Sequence, residues 1–230
     1  LTLNQPKPLL KIGGKPIIER IDHISLIDMT YIVTNHKFKP FFDVWLASYK
    51  SQIPIKIIDD MTMSDEDRLG AIGDMDYVIE KEGLDDDLIV IAGDTLVDVK
   101  LGTLVDLMHE KRASVIISKH MPFNKIKGRY GNIIQNENSF VVDFEEKPKN
   151  PKSNLASVPF YLLKKGAIPE IQKCLKLYPH LDNLGEFLKY LIGTQKVFNF
   201  SIKGEYIDIG CIEDLNIADQ NYGGEGTYSI

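Results

Sequence analysis

An α/β fold built on a mixed, mostly parallel sheet is predicted by three observations. Short β-branched runs alternate with amphipathic helical stretches through the first half, the pattern of βαβ units with right-handed crossovers. In the second half the apolar runs GNIIQ (131–135), FVVDFEE (140–146) and SVPFYLL (157–163) lie close together, with an Asn-rich turn between the first two. That spacing predicts antiparallel pairing beside the parallel strands. No repeat or low-complexity linker divides the chain, so one domain over residues 1–222 is expected, followed by a weakly ordered tail at 223–230.

The elements follow in order. TYIVTN (30–35) reads as a strand. Pro40 then opens a helix to Tyr49, with Phe41, Phe42, Trp45 and Tyr49 as its apolar stripe. IKIID (55–59) is a second strand, and a polar loop leads to a helix over 69–82 that Gly83 ends. LIVIA (88–92) is a third strand, 101–111 is amphipathic, and ASVIISK (113–119) is a fourth strand. Helices are expected over 167–177 and 184–191. They are followed by the strands VFNFSI (197–202) and EYIDIG (205–210) and by a last helix over 212–220.

The totals exclude several classes of function. With 230 residues, 43% of them hydrophobic, the chain can bury a good-sized core. A net charge of -6 argues against a nucleic-acid partner, which would need a clustered basic surface. No apolar run approaches the ~20 residues that span a bilayer, so no secretory leader, no membrane partner and a cytoplasmic location are expected. Cys174 and Cys211 fit no metal spacing and read as reduced, buried thiols.

Four stretches could carry chemistry. In LIVIAGDTLVD (88–98) a buried strand ends on Asp94, with Gly93 allowing close backbone approach. An Asx turn or helix cap is the commoner explanation of such an Asp. Asp208, in EYIDIG, has a similar setting. Two strand-end carboxylates could share Mg2+, which takes one or two carboxylates and leaves its other positions to water and phosphate. In FEEKPKNP (144–151), Pro148 halts the ladder just after Glu146 and Lys147. Carboxylate and ammonium side by side suit a phosphorylated polyol, although a solvated charged turn has the same composition. In QPKPLLKIGGKPIIE (5–19), Lys7 stands between two prolines that stiffen its backbone, as a phosphate clamp requires. The chain has no P-loop, GxSxG elbow, HExxH or CxxC pair.

Taken in order, PKPLLKIGGKPIIE, LGAI followed by VIAGDT, RYGNI, FEEKP and YIDIGCIEDLNIA resemble the sugar-1-phosphate nucleotidylyltransferases, over about residues 1–220. The resemblance implies a Rossmann-like three-layer sandwich of the nucleotide-diphospho-sugar transferase type. It also implies Mg2+-assisted transfer of a nucleotidyl group from a nucleoside triphosphate to a sugar 1-phosphate. Lys7 matches the family's lysine near the α-phosphate, and Asp94 and Asp208 match its metal-binding aspartates. Glu146 matches the residue that holds sugar hydroxyls and Lys147 the one that holds the sugar phosphate. Gly131 matches the glycine whose backbone faces the sugar, and Tyr161 the tyrosine at the pocket floor. Homo-oligomerisation stays open, and no appended β-helix domain is expected.

Four departures qualify the resemblance. The family's first strand and GxGTRL loop would precede Leu1, so a natural N-terminal segment is expected upstream. In the base loop SDEDRLGAIGD, Arg68 stands where a glycine is expected. It could stack on a base, reach a phosphate, or pair with Asp65 or Asp67. Val158-Pro159 replaces a Thr-Gly pair before Tyr161, and Tyr206 stands where Trp is common. Two alternatives therefore remain: a non-catalytic, nucleotide-sugar-sensing subunit of the same fold, and a nucleotidyltransferase acting on a phospho-alcohol such as phosphocholine.

Overall fold

A computed structural model describes residues 5–20, 26–64, 66–179 and 181–222. The expectations for the first four residues, for Asp65 and for the tail lie outside the described residues. In chain order come β1 (Lys11–Ile12), β2 (Lys15–Pro16), β3 (Thr30–Thr34), α1 (Lys39–Ser48), β4 (Ile55–Asp59), α2 (Gly70–Glu82), β5 (Leu88–Ile91), β6 (Thr95–Val97) and α3 (Leu101–Lys111). The second half adds β7 (Ser114–His120), α4 (Phe123–Ile126), β8 (Asn132–Gln135), β9 (Val141–Glu145), β10 (Leu155–Leu163), α5 (Ile168–Leu177), α6 (Leu184–Leu191), β11 (Val197–Ile202), β12 (Tyr206–Asp208) and α7 (Ile212–Tyr222). Contacts group these elements into two compact units. One contains residues up to Arg68, Ala92–Leu101 and everything from Gly204; the other contains Leu69–Ile91 and Gly102–Lys203.

In the first unit β3 and β4 pair in parallel, from Thr30 opposite Ile55 to Thr34 opposite Asp59. The β1–β2 hairpin turns on Gly13 and Gly14, both at positive φ. β6 and β12 pair antiparallel, which brings segments about 110 positions apart into one ladder. Two apolar clusters hold the unit: Leu9, Ile32 and Phe42, and separately Ile12, Ile17, Leu96, Ile209 and Ala218. The apolar stripe expected on α1 needs one correction, because Phe41 is 43% exposed while Phe42 is buried. The helix begins at Lys39, and the line that packs inward runs through Phe38, Phe42 and Trp45.

The second unit is built on a six-stranded mixed sheet in the order β11-β7-β10-β8-β9, with β5 also on β10. β11 runs parallel to β7, while β10 is antiparallel to β5, β7 and β8, and β9 is antiparallel to β8. Four strands thus run one way and two the other, as expected of a mixed, mostly parallel sheet. The parallel/antiparallel boundary falls at β7, which is parallel to β11 and antiparallel to β10, and the irregularity in their pairing lies in β10. There Val158 pairs with Ile117 and Tyr161 with Ile116, so Pro159, which has no N–H to give, falls in the skipped stretch. α2, α5 and α6 cover the sheet through Ile72, Ile79, Ile171, Cys174, Phe187 and Leu191. Gly83 ends α2 in the left-handed conformation, as expected. In the Asn-rich turn, Asn136 Oδ1 accepts from the amides of Asn138 and Phe140, which steadies Ser139 at positive φ.

Candidate functional site

Apart from Arg68, the predicted residues gather in two places, one in each unit. In the first unit, Pro6 holds an extended backbone and Lys7 opens a short 3-10 turn to Leu9. Lys7 Nζ lies 3.1 Å from Asp94 Oδ2, with both side chains partly exposed. Glycine is required at position 93 for a local reason. A Cβ there would come within 2.7 Å of Pro8 Cγ, so the missing side chain lets the Lys7 turn close onto Asp94. Asp94 lies in the turn between β5 and β6, where the Thr95 N–H donates to Ala92 O, and its carboxylate carries an ion pair.

Asp208 arrives across the β6–β12 ladder. It stands opposite Thr95, and the Ile209 N–H donates to Asp94 O at 3.0 Å. The two aspartates are therefore near neighbours on one short ladder rather than distant members of a wide sheet. Thr95 is 2% exposed, and its hydroxyl has no hydrogen-bond partner among the described residues. A buried hydroxyl without a partner is costly. Asp208 stands opposite Thr95 and Asp94 precedes Thr95 in the chain, and two hard carboxylates are a donor set that suits a hard divalent cation. Asp94 and Asp208 would hold such an ion. No cluster of three or more His, Cys, Asp or Glu that could hold a metal ion occurs among the described residues.

The second group lies on β8, β9, β10 and α6. Phe144, 1% exposed, is wedged between two glycines. A Cβ on Gly131 would overlap the Phe144 ring, reaching Cε2 at 2.9 Å, and a Cβ on Gly185 would reach Cε1 and Cζ at 2.6 Å. Gly131 O accepts from the Ser157 N–H, and Ser157 Oγ lies 3.3 Å from the Tyr161 hydroxyl. Tyr161 is buried, and burial pushes its phenol up to about 12, so it stays neutral. Lys147 leaves β9 at φ 42, and its Nζ is 3.8 Å from Glu146 Oε1. Glu146 is only 30% exposed at its side chain, and its pKa is raised, first by burial and then by the nearby Glu186 carboxylate, against the pull of Lys147.

That raised pKa has a sign that can be tested. Ionising Glu146 costs more in the folded chain than in the unfolded one. Its contribution therefore favours folding at pH below the ordinary carboxylate value and is lost as pH rises through the raised value. Glu146→Gln is expected to remove this part of the pH dependence, leaving stability at neutral pH equal to or above wild type. Thermal melts across acid to neutral pH check it, and a Glu146→Gln profile parallel to wild type would overturn it.

The loop before α2 is organised by Asp67. Its carboxylate accepts from the Met63 and Ser64 amides, which hold it below the usual range. Arg68 follows, exposed, just before α2. Cys174 is buried as expected, but Cys211 is exposed. Its amide and thiol both point to Asp214 Oδ2 at the start of α7, a capping position rather than a core one. Sequence reasoning missed Thr95, Ser157 and Gly185. For Gly185 a signal was present, since a glycine inside the apolar helix pattern LGEFLKYL costs about 1 kcal/mol against Ala and asks for a reason.

Comparison with known proteins adds three findings. The family model for nucleotidyl transferases matches residues 1–224. Among curated relatives, the bifunctional protein GlmU of Methanocaldococcus jannaschii is 27% identical over 212 residues, covering 91% of this chain and 47% of that one. The UTP--glucose-1-phosphate uridylyltransferase AglF of Haloferax volcanii is 25% identical over 242 residues, covering 99% and 92%. The chain spans about half the length of the first curated relatives it matches. A crystal structure of UDP-glucose pyrophosphorylase complexed with UDP-glucose superposes with a TM-score of 0.78 at 19% identity, over 94% of this chain and 90% of that one. That likeness establishes the expected fold. No helix among the described residues is long and apolar enough to cross a membrane.

Proposed function

Because the chain belongs to the nucleotidyl transferase family, we propose that it transfers a nucleotidyl group from a nucleoside triphosphate to a sugar 1-phosphate, with Mg2+ as its divalent cation. One observation carries this reading. The Lys7 ammonium sits on Asp94 across 87 positions of sequence, and Asp208 is a near neighbour across the ladder. A fixed ammonium beside two carboxylates is the arrangement that receives a triphosphate together with its cation.

In the proposed reaction an oxygen of the sugar phosphate attacks the α-phosphorus. The bond from that phosphorus to the oxygen bridging to the β-phosphate breaks, and pyrophosphate leaves with the electron pair. Little covalent work falls to the protein, so positioning and charge neutralisation supply the rate. The cation, when bound by Asp94 and Asp208, neutralises charge on the phosphates. Lys7 holds a non-bridging α-phosphate oxygen, and its ion pair with Asp94 fixes where the ammonium points. Arg68 serves the nucleotide, by stacking or by a phosphate contact. In the second unit Glu146 accepts from sugar hydroxyls, Lys147 pairs with the sugar phosphate, Gly131 offers its backbone, and the neutral Tyr161 phenol forms the pocket floor.

The test is pyrophosphate release by the full natural polypeptide with Mg2+, crossing the nucleoside triphosphates with a panel of sugar 1-phosphates and phosphocholine. A productive pair with a sugar 1-phosphate is expected. Turnover of phosphocholine alone would replace the sugar by a phospho-alcohol, and silence from folded protein would leave a ligand-sensing role.

A further inference from the structure

We propose that Gly185, at the start of α6, is a positioning residue that sets the affinity for the sugar substrate through Glu146. This rests on the reading of Glu146 as the acceptor of sugar hydroxyls. The backbone does not ask for glycine here. Gly185 lies in regular α6, its φ is outside the left-handed region, and glycine is the poorer helix former. Only the missing side chain explains it. A Cβ at 185 would stand 2.5 Å from Glu146 Oε2 as well as 2.6 Å from the Phe144 ring. The empty face of α6 is therefore the seat of the Glu146 carboxylate. The same Phe144 ring closes on Gly131 from β8, so one wedge between two glycines fixes both the carboxylate and the neighbouring backbone. Asn183 locks the helix start beneath them by accepting the Glu186 N–H at 3.0 Å.

The two overlaps differ in kind. The carboxylate is the end of a flexible side chain and can swing away, whereas the buried ring cannot. Gly185→Ala is thus expected to displace Glu146, while the overlap with the ring lowers the stability of the unit. The KM for the sugar 1-phosphate should rise about 10- to 100-fold, the scale of a reactant misplaced by roughly 1 Å. The KM for the nucleoside triphosphate should stay within about twofold. Calorimetric binding of each sugar 1-phosphate in the panel to the full chain reads the same loss without turnover. Should Gly185→Ala fail to fold, Gly185→Ala with Phe144→Leu removes the ring overlap and leaves only the carboxylate contact. Compared with Phe144→Leu alone, it should still bind the sugar phosphate at least about tenfold more weakly. A folded variant with unchanged sugar affinity, or with both KM values raised alike, overturns the proposal. A wild-type protein that binds no sugar 1-phosphate overturns instead the reading of Glu146 on which it rests.

Discussion

Asp94→Asn is expected to lower turnover by about 10²- to 10³-fold or more while the protein remains folded. Asp208→Asn is expected to do the same. The substitution keeps the shape of the side chain and removes its charge. The backbone that organises the turn is untouched, since Thr95 N–H still donates to Ala92 O and Ile209 N–H to Asp94 O. The cost to stability is small because the Lys7–Asp94 pair is partly exposed at both partners, and such pairs contribute about 0–1 kcal/mol. The melting temperature should therefore shift by no more than about 4 °C. Chemistry suffers more, because a triphosphate brings several negative charges to a place where Asn can neither orient Lys7 by charge nor hold a cation. Pyrophosphate release and Mg2+ titration of the folded variant check both halves. Normal turnover in either variant would remove the metal assignment, and a large fall in melting temperature would show that Asp94 is structural.

The sequence carried this pair only as two separate hints. A strand that ends on Gly93-Asp94 and a lysine between prolines are local features, and local features can be read from a chain. Their meeting depends on Pro8 lying against the bare face of Gly93, which no periodicity encodes. The same division runs through the fold. β3, β5 and the end of α2 were legible because β-branched runs and Gly83 act within a few residues. β6 was not, since three residues become a strand only by pairing with β12 about 110 positions later. The exposure of Phe41 and Cys211 was missed for a related reason: a helix offset and a capping carboxylate decide it, not side-chain polarity. In the second unit FEEKP named Glu146 and Lys147, but Gly185 enters through Phe144 and stays silent until the ring is placed.

Asn132→Ala is expected to destabilise the second unit by about 3–5 kcal/mol. Asn132 is fully buried at the start of β8. Its Nδ2 donates to Ser153 O, Ser153 Oγ and Leu155 O at 2.9–3.0 Å, and its Oδ1 accepts from the Lys152 and Ser153 amides. One side chain thus satisfies the backbone of the connection between β9 and β10, which pairing does not reach. Alanine would leave those amides and carbonyls without their side-chain partner, at about 1–3 kcal/mol for each group that stays buried. The connection follows directly after Lys147 and Pro148, and Asn132 itself follows Gly131, so its loosening should also disturb the proposed sugar side. Ser153→Ala removes one hydroxyl that donates to Ile133 O and accepts from the Leu155 amide, and should cost less. Chemical denaturation of the two variants separates these expectations. A loss under about 1 kcal/mol for Asn132→Ala would mean that water enters to replace the amide, and that the connection is held by the strands alone.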